Sequence, residues 1–359
     1  MNILALNVGS SSLKFDVYEA RGAEPARLLE GSIDTRGDAQ ILRYRGKGAW
    51  SEHRLHEGDH ADALEALMSL QSIAAPDAVA HRVVHGGPWL REHCVIDAQV
   101  LSRIEAAANF APLHVPPALA WIRRAARAFP HASQVACFDT AFHHPLPELS
   151  RVLPVPRELL AKGVERFGFH GLSCESILRQ LDGAVPERLV IAHLGSGASV
   201  TAVQDGRSVD TSMGLTPTGG IIMGTRPGDL DPGVMLFLLR QGHCTPDQLE
   251  DLLEHRSGLR GISGFSADVR ELAEASDHPS AALALAQFAR SVAKGVAAMA
   301  VIMGGIDALV FTGGIGEHHA PTREHVMTLL HPCFPSLASH VLPSQENLMM
   351  ARHAVALLA

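Results

Sequence analysis

The sequence lacks the marks of several common protein classes. Its 359 residues contain no G-x-x-x-x-G-K-[ST] motif, which excludes a P-loop nucleotide site. The five cysteines are scattered without C-x-x-C spacing, as expected for free thiols in a reducing cytoplasm. Lysine and arginine are outnumbered by aspartate and glutamate, and the formal net charge of −8 predicts that nucleic acid is not a partner.

The chain also lacks a long uninterrupted apolar run. Its longest apolar stretch, near residues 292–310, is broken by Lys294 and by glycines, and we expect it to form a buried helix and strand. Met1 leads directly into a predicted strand with no basic segment before it, so no signal peptide is expected. We therefore expect a cytoplasmic protein that makes no membrane contact.

The sequence is rich in hydrophobic residues. Hydrophobic residues make up 47% of the chain and charged residues 19%, a balance that supports large cores and excludes disorder. The length exceeds what one hydrophobic core usually serves, so two domains are expected. The proline-rich segment 145–156 is the predicted boundary, and it separates residues 1–144 from residues 145–345.

Residues 2–18 are the most informative stretch. The apolar run at 3–6 predicts a buried strand, and the alternating pattern over 13–18 predicts a strand that returns beside it. The turn between them holds Gly9 and three serines and is followed by Lys14. Glycine allows close backbone approach, N–H groups and hydroxyls donate to phosphate oxygens, and lysine adds charge. Alone, however, such a hairpin is more often an ordinary turn than a polyphosphate site.

The same plan occurs a second time over residues 189–203, as an apolar run, a glycine-rich turn and an apolar strand. Aligned on Gly9 and Gly195, the copies place Asn7 opposite His193. In each half a later apolar run ends in a glycine pair. The repeat indicates a duplicated α/β domain with one nucleotide held between the copies.

Periodicity predicts helices and strands along the whole chain. Helical spacing of apolar residues predicts helices at 61–71, 100–109, 117–128 and 283–303, and a last helix is expected at about 346–358. Short apolar runs predict strands at 2–7, 13–19, 79–84, 134–138, 189–193, 199–204 and 308–312. Residues 21–58 are charged and weakly patterned, so peripheral strands and loops remain alternatives there.

Eleven segments then point to one family. They are NVGSSSLKF at 7–15, HRVVHGG at 81–87, APLH at 111–114, FDTAFH at 138–143, RFGFHG at 166–171, HLGSGAS at 193–199, TSMGLTP at 211–217, MGTRPGDLDP at 223–232, SGLRGISG at 257–264, FTGGIGE at 311–317 and SQENLMMAR at 344–352. By these segments, which follow the family order, the chain resembles the acetate/propionate kinases. That family belongs to a larger group with actin, heat-shock chaperone ATPases and sugar kinases.

The resemblance implies a duplicated actin-like (ribonuclease H-like) fold of two domains with the nucleotide in the cleft between them. It implies that residues 1–144, joined by about 346–359, bind the acyl group and phosphate. Residues 145–345 would bind the nucleotide and carry the contact of a homodimer.

Four residues are predicted to be catalytic. Asp139 follows an apolar run, so we expect it at the carboxyl end of a strand, where a ligand contact and a turn cap are equally favoured by spacing. Arg82 and Arg226 lie in segments poor in charge, where a buried cation serves either an anionic substrate or a structural salt bridge. The resemblance implies that both arginines bind the acetate and the γ-phosphoryl group, that His170 donates to that group, and that Asp139 positions the acyl carboxylate or the metal.

The acyl pocket comes from the resemblance alone. It implies that Val84, Leu113, Phe169 and Pro217 form a small apolar wall next to Arg82, although each of these four is otherwise an ordinary core residue. Valine at position 84 narrows the pocket and favours acetate. One methylene is worth only about 1–3 kcal/mol in such a pocket, so propionate remains an alternative.

The nucleotide and metal ligands are also implied by the resemblance. The implied ATP ligands are Lys14, Ser10, Ser12, His193, Gly195, Ser196, Gly197, Asp268, Val269, Arg270, Gly313, Gly314, Ile315 and Gly316. Asn7 and Glu346 would bind Mg²⁺ (or Mn²⁺), which commonly takes one or two carboxylates together with water and phosphate oxygens. From its position alone, Glu346 is equally an ordinary glutamate of a first helical turn.

The chain departs from the family pattern at four positions. The family usually has asparagine at 196 and 115, phenylalanine at 269 and glutamate at 347, where this chain has Ser196, Val115, Val269 and Asn347. Ser196 and Val269 belong to the implied nucleotide side. The phosphoryl donor therefore stays open between ATP, another nucleoside triphosphate and pyrophosphate.

The predicted reaction is direct in-line transfer from Mg-ATP to acetate, which gives acetyl phosphate and ADP reversibly. Acetate is already an anion, so the protein needs to hold two anions together and neutralise phosphoryl charge. One alternative is a propionate or other short-chain acyl kinase. Another is a nucleotide-gated interaction protein of the actin type, which would need no acyl site.

Overall fold

The computed structural model describes residues 1–9, 12–22, 24–36, 39–55, 74–240, 242 and 244–359. The predicted helix at 61–71, the expected ATP ligand Ser10 and the side chain of Ser12 lie outside the described part. The chain divides into two compact units, unit 1 (Met1–Ala141 and Gln345–Ala359) and unit 2 (Phe142–Ser344). The sequence placed these limits at 144/145 and 345/346, and the functional assignment of each unit stays a prediction.

The secondary structure is mixed throughout. In chain order the strands are β1 (Asn2–Val8), β2 (Ser12–Glu19), β3 (Ala26–Arg36), β4 (Ala39–Arg45), β5 (Ser51–Leu55), β6 (Ala78–Val83), β7 (Cys94–Val95), β8 (Ser133–Phe138), β9 (Arg188–Leu194), β10 (Ala198–Gln204), β11 (Arg207–Thr211), β12 (Ala308–Thr312) and β13 (Ala338–Val341). The helices of the described chain are α1 (Ala98–Ala107), α2 (Val115–Ala128), α3 (Glu148–Arg151), α4 (Arg157–Leu160), α5 (Gly171–Leu181), α6 (Pro232–Arg240), α7 (Pro246–His255), α8 (Gly258–Ser263), α9 (Val269–Glu274), α10 (Pro279–Ile302), α11 (Gly313–His318), α12 (Ala320–Leu330) and α13 (Glu346–Leu358). A 3₁₀ turn covers Ala141–His143.

Unit 1 is built on a sheet with the strand order β5-β4-β3-β2-β1-β6-β8-β7. Strands β1, β6 and β8 run parallel, whereas β1 to β5 form an antiparallel series and β7 pairs antiparallel with β8. Because β1, β6 and β8 run in one direction, their carboxyl ends meet at one edge of the sheet. Ligand sites of α/β sheets gather at such an edge.

Helices α2 and α13 cover this sheet. The buried side of α2 joins two apolar clusters, one around Phe15 and Trp121 and the other around Phe138 and Ile122. Helix α13 packs against β1 and β6 through Met350 and its neighbours. Its first residue therefore comes to the edge where the parallel strands end.

Unit 2 repeats this plan in the order β11-β10-β9-β12-β13. Strands β9, β10 and β11 are antiparallel, and β9, β12 and β13 are parallel. The order and directions match β3-β2-β1-β6-β8 of unit 1. The duplicated α/β fold predicted from the sequence repeat is thereby confirmed.

Helix α10 is the longest in the described chain. By length and composition it could cross a membrane, a test that core helices of soluble proteins also pass. It packs against β9 and β10 through a buried side that includes Phe288 and Val292, while Arg290 and Lys294 are exposed. Residues 292–310 thus form the end of a core-facing helix and the buried strand β12, as the sequence predicted.

For the weakly patterned residues after β2, the sequence left strands and loops as alternatives. In their described part they form β3, β4 and β5, which extend the sheet of unit 1. Charged pairs such as Arg27 with Glu30 and Arg43 with Glu52 lie along these strands. Leu29, Ile33, Leu42 and Tyr44 of these strands are buried in the core, but Gly31 interrupts the apolar series of β3, which explains why the apolar alternation was weak.

Candidate active site

Four polar side chains form a hydrogen-bonded row in unit 1. Asn7 lies near the end of β1, Arg82 near the end of β6, Asp139 directly after β8, and Glu346 opens α13. Asn7 Nδ2 donates to Glu346 Oε2 at 2.8 Å, and Arg82 Nη1 donates to Asn7 Oδ1 at 3.1 Å. The Arg82 guanidinium completes the row on Asp139, with Nε 2.9 Å and Nη2 2.5 Å from Oδ2. The row is therefore Glu346, Asn7, Arg82, Asp139.

Charge holds this row together. The Asp139 side chain is 1% exposed and that of Arg82 is 17% exposed. Burial by itself lowers the pKa of Arg82, but the carboxylates of Asp139 and Glu346 outweigh it and raise that pKa above its ordinary value. Arg82 is thus a permanent cation next to two acids. The salt bridge left open by the sequence is present, and a substrate role for Arg82 stays a prediction.

The row also presents hard oxygen donors. Two carboxylates, of Asp139 and Glu346, lie on either side of the Asn7 and Arg82 pair. Carboxylate and amide oxygens are what Mg²⁺ prefers. The donor set therefore fits the metal that the resemblance implies, with Glu346 and Asn7 as the expected ligands.

His170 is the centre of a second cluster, in unit 2. It precedes α5 with a left-handed backbone, φ 57°. Its Nδ1 lies 2.9 Å from Ser199 Oγ, and its ring stacks on His193 with centroids 4.1 Å apart. His193 Nδ1 in turn lies 2.8 Å from Ser173 Oγ. Both imidazoles are thus held through Nδ1 by serine hydroxyls.

Glycines allow the backbone to approach these imidazoles. A Cβ on Gly197 would lie 3.3 Å from His170 Nε2 and 3.7 Å from Arg226 Nη1. A Cβ on Gly313, whose φ is +76°, would lie 3.1 Å from His193 Nε2. The structure thus brings together the predicted His170, His193 and Arg226 with the glycine turns of unit 2.

Arg226 also has a carboxylate partner. Its Nε lies 2.9 Å from Glu254 Oε2, and its Nη1 donates to the carbonyl of Pro217 at 2.9 Å. Glu254 is anchored further by the hydroxyl of Thr218. As for Arg82, the salt bridge exists and an anion-binding role stays a prediction.

The predicted ATP ligands around α9 pair with one another. Asp268 caps α9 by accepting the Arg270 N–H at 2.8 Å, and its carboxylate also binds the Arg270 guanidinium at 2.6 Å. That guanidinium hydrogen bond lowers the pKa of Asp268. Val269 is 2% exposed, so its side chain belongs to the core. Their nucleotide roles remain predictions.

The other predicted ligands lie on turns or exposed edges. Lys14 is exposed and stands in register with Asn7 across β1 and β2. Ser196 is exposed, and its carbonyl accepts from Gly224 N–H at 3.1 Å. The remaining residues form the first turns of α11 or the turn before β10, namely Gly195, Gly313, Gly314, Ile315 and Gly316.

The predicted acyl residues are divided between the units. Val84 and Leu113 lie in unit 1, with Val84 buried directly after β6 and Leu113 half-buried before α2. Phe169 and Pro217 are buried in unit 2. Their assignment to one pocket stays a prediction.

Comparison with known proteins decides the family. A model described as the acetokinase family matches residues 2–334. The chain belongs to this family. Acetate kinase of Rhodopseudomonas palustris is 39% identical over 98% of this chain and 97% of its own length. Acetate kinase of Gloeobacter violaceus is 42% identical over 90% of this chain and 86% of its own length.

Solved structures agree with this placement in the acetokinase family. A propionate kinase from Francisella tularensis has a TM-score of 0.88 and 33% identity, covering 98% of each chain. An acetate kinase from Porphyromonas gingivalis has a TM-score of 0.86 and 31% identity over all of both chains. The two-domain fold of the family is therefore that of this protein.

Sequence reasoning missed the residues that support the site of this acetokinase. Ser199, which holds His170, lies inside a quoted segment, so its hydroxyl was a signal that could have been used. Glu317, which accepts from Gly313 N–H at 3.1 Å, also ends such a segment. Glu254 lies in none of them and was not detectable locally.

Proposed function

We propose that this acetokinase transfers the γ-phosphoryl group of ATP to acetate, reversibly, giving acetyl phosphate and ADP. The observation that carries the proposal is the full-length match to proteins named acetate kinase. This chain has Arg82, Asp139, His170 and Arg226 at the positions predicted to be catalytic. ATP and ADP follow from the family, and acetate from the named relatives.

The proposed mechanism needs no strong base. The acetate carboxylate is already a nucleophile, so the protein has to hold it in line with the γ-phosphorus and offset the repulsion of two anions. Arg82 and Arg226 would bind the acetate and phosphoryl oxygens through their planar forks. His170 would donate to a phosphoryl oxygen as charge builds there.

Asp139 supports this mechanism through Arg82. Two guanidinium nitrogens of Arg82 bond to its carboxylate, which fixes the plane and direction of the fork. Bidentate pairing of this kind sets geometry as well as charge. We infer that Asp139 positions the acyl carboxylate by orienting Arg82.

Mg²⁺, or Mn²⁺ in its place, would be held by Glu346 and Asn7. Bound with the nucleotide, the metal supplies positive charge to the phosphate oxygens. The protein's own part is to keep Glu346 at the start of α13, next to the Asn7 amide. Lys14 and Ser12 of β2, Ser10 and the glycines of unit 2 would contact the nucleotide phosphates.

Propionate kinase activity is the second candidate function. It is supported by the propionate kinase from Francisella tularensis, whose structure is similar to this chain over nearly its full length. Val84 supports acetate, since its branched side chain limits the space for a longer acyl group. An actin-like nucleotide-gated protein would instead hydrolyse ATP without any acid present.

We also propose a homodimer formed through unit 2. Helix α6 is apolar on all sides and has no buried residue, and Phe237 and Leu236 are 57% and 48% exposed. A helix with this pattern is expected to be covered by another surface. Light scattering tests this, with Phe237→Glu expected to give monomers and Leu149→Glu, on the 98% exposed Leu149, expected to leave the dimer intact.

A cytoplasmic location completes the proposal. It is supported by the five cysteines, all of which are free thiols in the structure. Such thiols persist in a reducing compartment.

One assay tests the function. Acyl phosphate is trapped as the hydroxamate while acetate, propionate and butyrate are each offered with ATP, another nucleoside triphosphate or pyrophosphate, and with Mg²⁺, Mn²⁺ or a chelator. The expected result is the highest kcat/KM with acetate, ATP and Mg²⁺. Phosphate release that does not depend on the acid would favour the actin-like alternative, and a preference for propionate would favour the second candidate.

A further inference from the structure

His143 is a buried histidine that the proposed mechanism does not use. It ends the 3₁₀ turn Ala141–His143 and is only 2% exposed. Its ring packs edge-on against Phe142, with centroids 5.3 Å apart. A buried imidazole must satisfy both ring nitrogens, so its partners define what it does.

Both ring nitrogens of His143 are engaged. Nε2 lies 2.8 Å from the carbonyl oxygen of Phe169, and Nδ1 lies 2.8 Å from Ser208 Oγ. A carbonyl oxygen can only accept, so Nε2 carries the proton and donates it. Nδ1 then accepts from the Ser208 hydroxyl, which fixes the tautomer.

The imidazole stays neutral at ordinary pH. Burial lowers the pKa of His143 to about 4, and the hydrogen bond to the Phe169 carbonyl opposes this only in part. Of the nearby charges, Glu175 raises the pKa and Arg166 lowers it. The single tautomer with hydrogen on Nε2 therefore persists over the working range.

The segment that His143 holds has an unusual backbone. Gly168 has φ +72° and His170 has φ 57°, so the residues directly before and directly after Phe169 both have a left-handed backbone. For a residue with a Cβ this conformation costs roughly 1–2 kcal/mol. The surroundings must therefore hold His170 in place.

His143 also packs directly on this backbone. A Cβ on Gly168 would lie 2.6 Å from the His143 ring and 2.7 Å from Thr211 Cγ2, so only glycine fits there. The ring thus contacts the segment at Gly168 and bonds to it at Phe169, one residue before His170. Ser208, in β11, anchors the ring to the sheet of unit 2.

We propose that His143 is a positioning residue that holds the Phe169 carbonyl and thereby keeps the His170 imidazole aimed at the transferred phosphoryl group. This rests on the proposed function, because His170 acts on a phosphoryl group only in that reaction. The path is Ser208, His143, Phe169 carbonyl, His170. Its chemical requirement is a neutral donor and acceptor at position 143.

A double-mutant cycle tests the coupling. His143→Ala is expected to lower kcat by about 10- to 100-fold, because a displaced catalytic group loses rate on that scale. The KM for acetate should change far less. In the His170→Ala background, His143→Ala should cost little more, since its effect is exerted through His170. An equal loss in both backgrounds would overturn the proposal.

Conservative variants separate positioning from packing. His143→Gln retains a donor and an acceptor and should recover most of the rate, whereas His143→Leu should not. Thr201→Val removes a buried hydroxyl pair, Thr201 with Thr211 at 3.0 Å, in the same sheet. It should lower thermal stability with kcat unchanged. If Thr201→Val and His143→Ala lower kcat alike, a general packing effect explains the result and the proposal is wrong.

A readout without turnover keeps the proposal separate from the proposed function. In protein labelled with ¹⁵N-histidine, the His170 signals are those lost in His170→Ala. We expect them to shift in His143→Ala, shift less in Ser208→Ala, and stay near their native place in His143→Gln. Unchanged His170 signals in folded His143→Ala would refute the positioning role. If the native protein makes no acyl phosphate, the proposed function fails while this measurement still decides the structural link.

Discussion

Both units have polar side chains near the ends of the central strands of sheets with the same strand order. The two units hold these side chains in place by different interactions. In unit 1, Arg82 and Asp139 are fixed by a buried ion pair at the ends of neighbouring parallel strands. In unit 2, His170 and His193 are fixed by serine hydroxyls and by close glycine backbone. The Arg82–Asp139 pair of unit 1 depends on charge, and the histidine pair of unit 2 depends on hydrogen bonds and backbone conformation.

The central strands show where the copies diverged. Asn7 near the end of β1 and His193 near the end of β9 occupy corresponding places in the two sheets. Asn7 extends a charged row toward Glu346, whereas His193 stacks on His170. Substitutions in the charged row of unit 1 should therefore act mainly through charge, and those in the histidine pair of unit 2 mainly through geometry.

The largest expected effects come from the two arginines. Arg82→Ala and Arg226→Ala should each lower kcat/KM by at least two to three decades, about 3–4 kcal/mol of transition-state stabilisation. Arg82→Ala should also destabilise unit 1 by about 3–5 kcal/mol, because it leaves Asp139 buried without its cation. Hydroxamate kinetics and urea unfolding measure the two effects.

Two further variants sharpen that comparison. Arg82→Lys keeps the charge but not the fork, so it should recover stability more than rate. Arg188→Ala removes a partly exposed pair with Asp307 and should leave the rate near native. Near-native rates in both arginine-to-alanine variants would show that the salt bridges with Asp139 and Glu254 are their whole role.

The fold was largely predictable because buried runs carry a strong pattern. The strand predicted at 134–138 is β8 (Ser133–Phe138), and the helix predicted at 117–128 is α2 (Val115–Ala128). Strands β3 to β5 were not distinguishable from loops, because Gly31 interrupts the apolar series of β3 and charged residues such as Arg43 and Glu52 are frequent along β4 and β5. Each is placed by pairing with the strand before it, β3 with β2, β4 with β3 and β5 with β4.

The candidate site was predictable only in part, since its supports come from distant chain. Glu254, near the end of α7, reaches Arg226 because the Thr225 hydroxyl donates to the Glu254 carbonyl at 2.6 Å. Helix α8, which follows, is held to the same segment by Leu259 N–H, which donates to the Met223 carbonyl at 2.9 Å. Gly258 permits this approach with φ +60°. The left-handed backbone of His170 could not be predicted either, because histidine is not a residue type that indicates this conformation. Only Gly168, two residues earlier, indicates a turn.

The next largest expected effect concerns the metal that the charged row of unit 1 would bind. Glu346→Gln should raise the Mg²⁺ concentration for half-maximal rate by about 10- to 100-fold, because one carboxylate ligand is lost. Glu24→Gln is the matched control, since Glu24 binds Arg352 of the same helix away from Asn7. An unchanged Mg²⁺ requirement in Glu346→Gln would remove Glu346 from the metal site.

Acid stability compares the two units through one buried histidine in each. Burial lowers the pKa of His81 in unit 1 and of His143 in unit 2 to about 4, from an ordinary value of 6.5. Both are neutral when folded but take up protons when unfolded below pH 6.5. Their contribution is therefore complete above that pH and is lost as pH falls toward 4. At about pH 5 each histidine should lower the free energy of unfolding by about 2 kcal/mol relative to neutral pH.

Urea unfolding at neutral pH and at about pH 5 measures this loss. His81→Gln and His143→Gln should each reduce the loss of stability on acidification, and exposed His131→Gln should not. Separate transitions for the two units would assign each effect to its own unit. Equal acid sensitivity in all four proteins would show that other groups control it.

The smallest expected effect concerns the acid itself. Val84 is 6% exposed and directly follows β6 in unit 1, while Phe169 and Pro217 of the predicted pocket belong to unit 2. Val84→Ala adds space for one more methylene and should shift the ratio of kcat/KM from acetate toward propionate by roughly tenfold. Val83→Ala is the control, because Val83 is the last residue of β6 and packs in a core cluster of unit 1. It should lower stability without changing the ratio. If the ratio is unchanged in Val84→Ala but moves in Phe169→Leu, discrimination between acids belongs to unit 2, and unit 1 contributes charge alone.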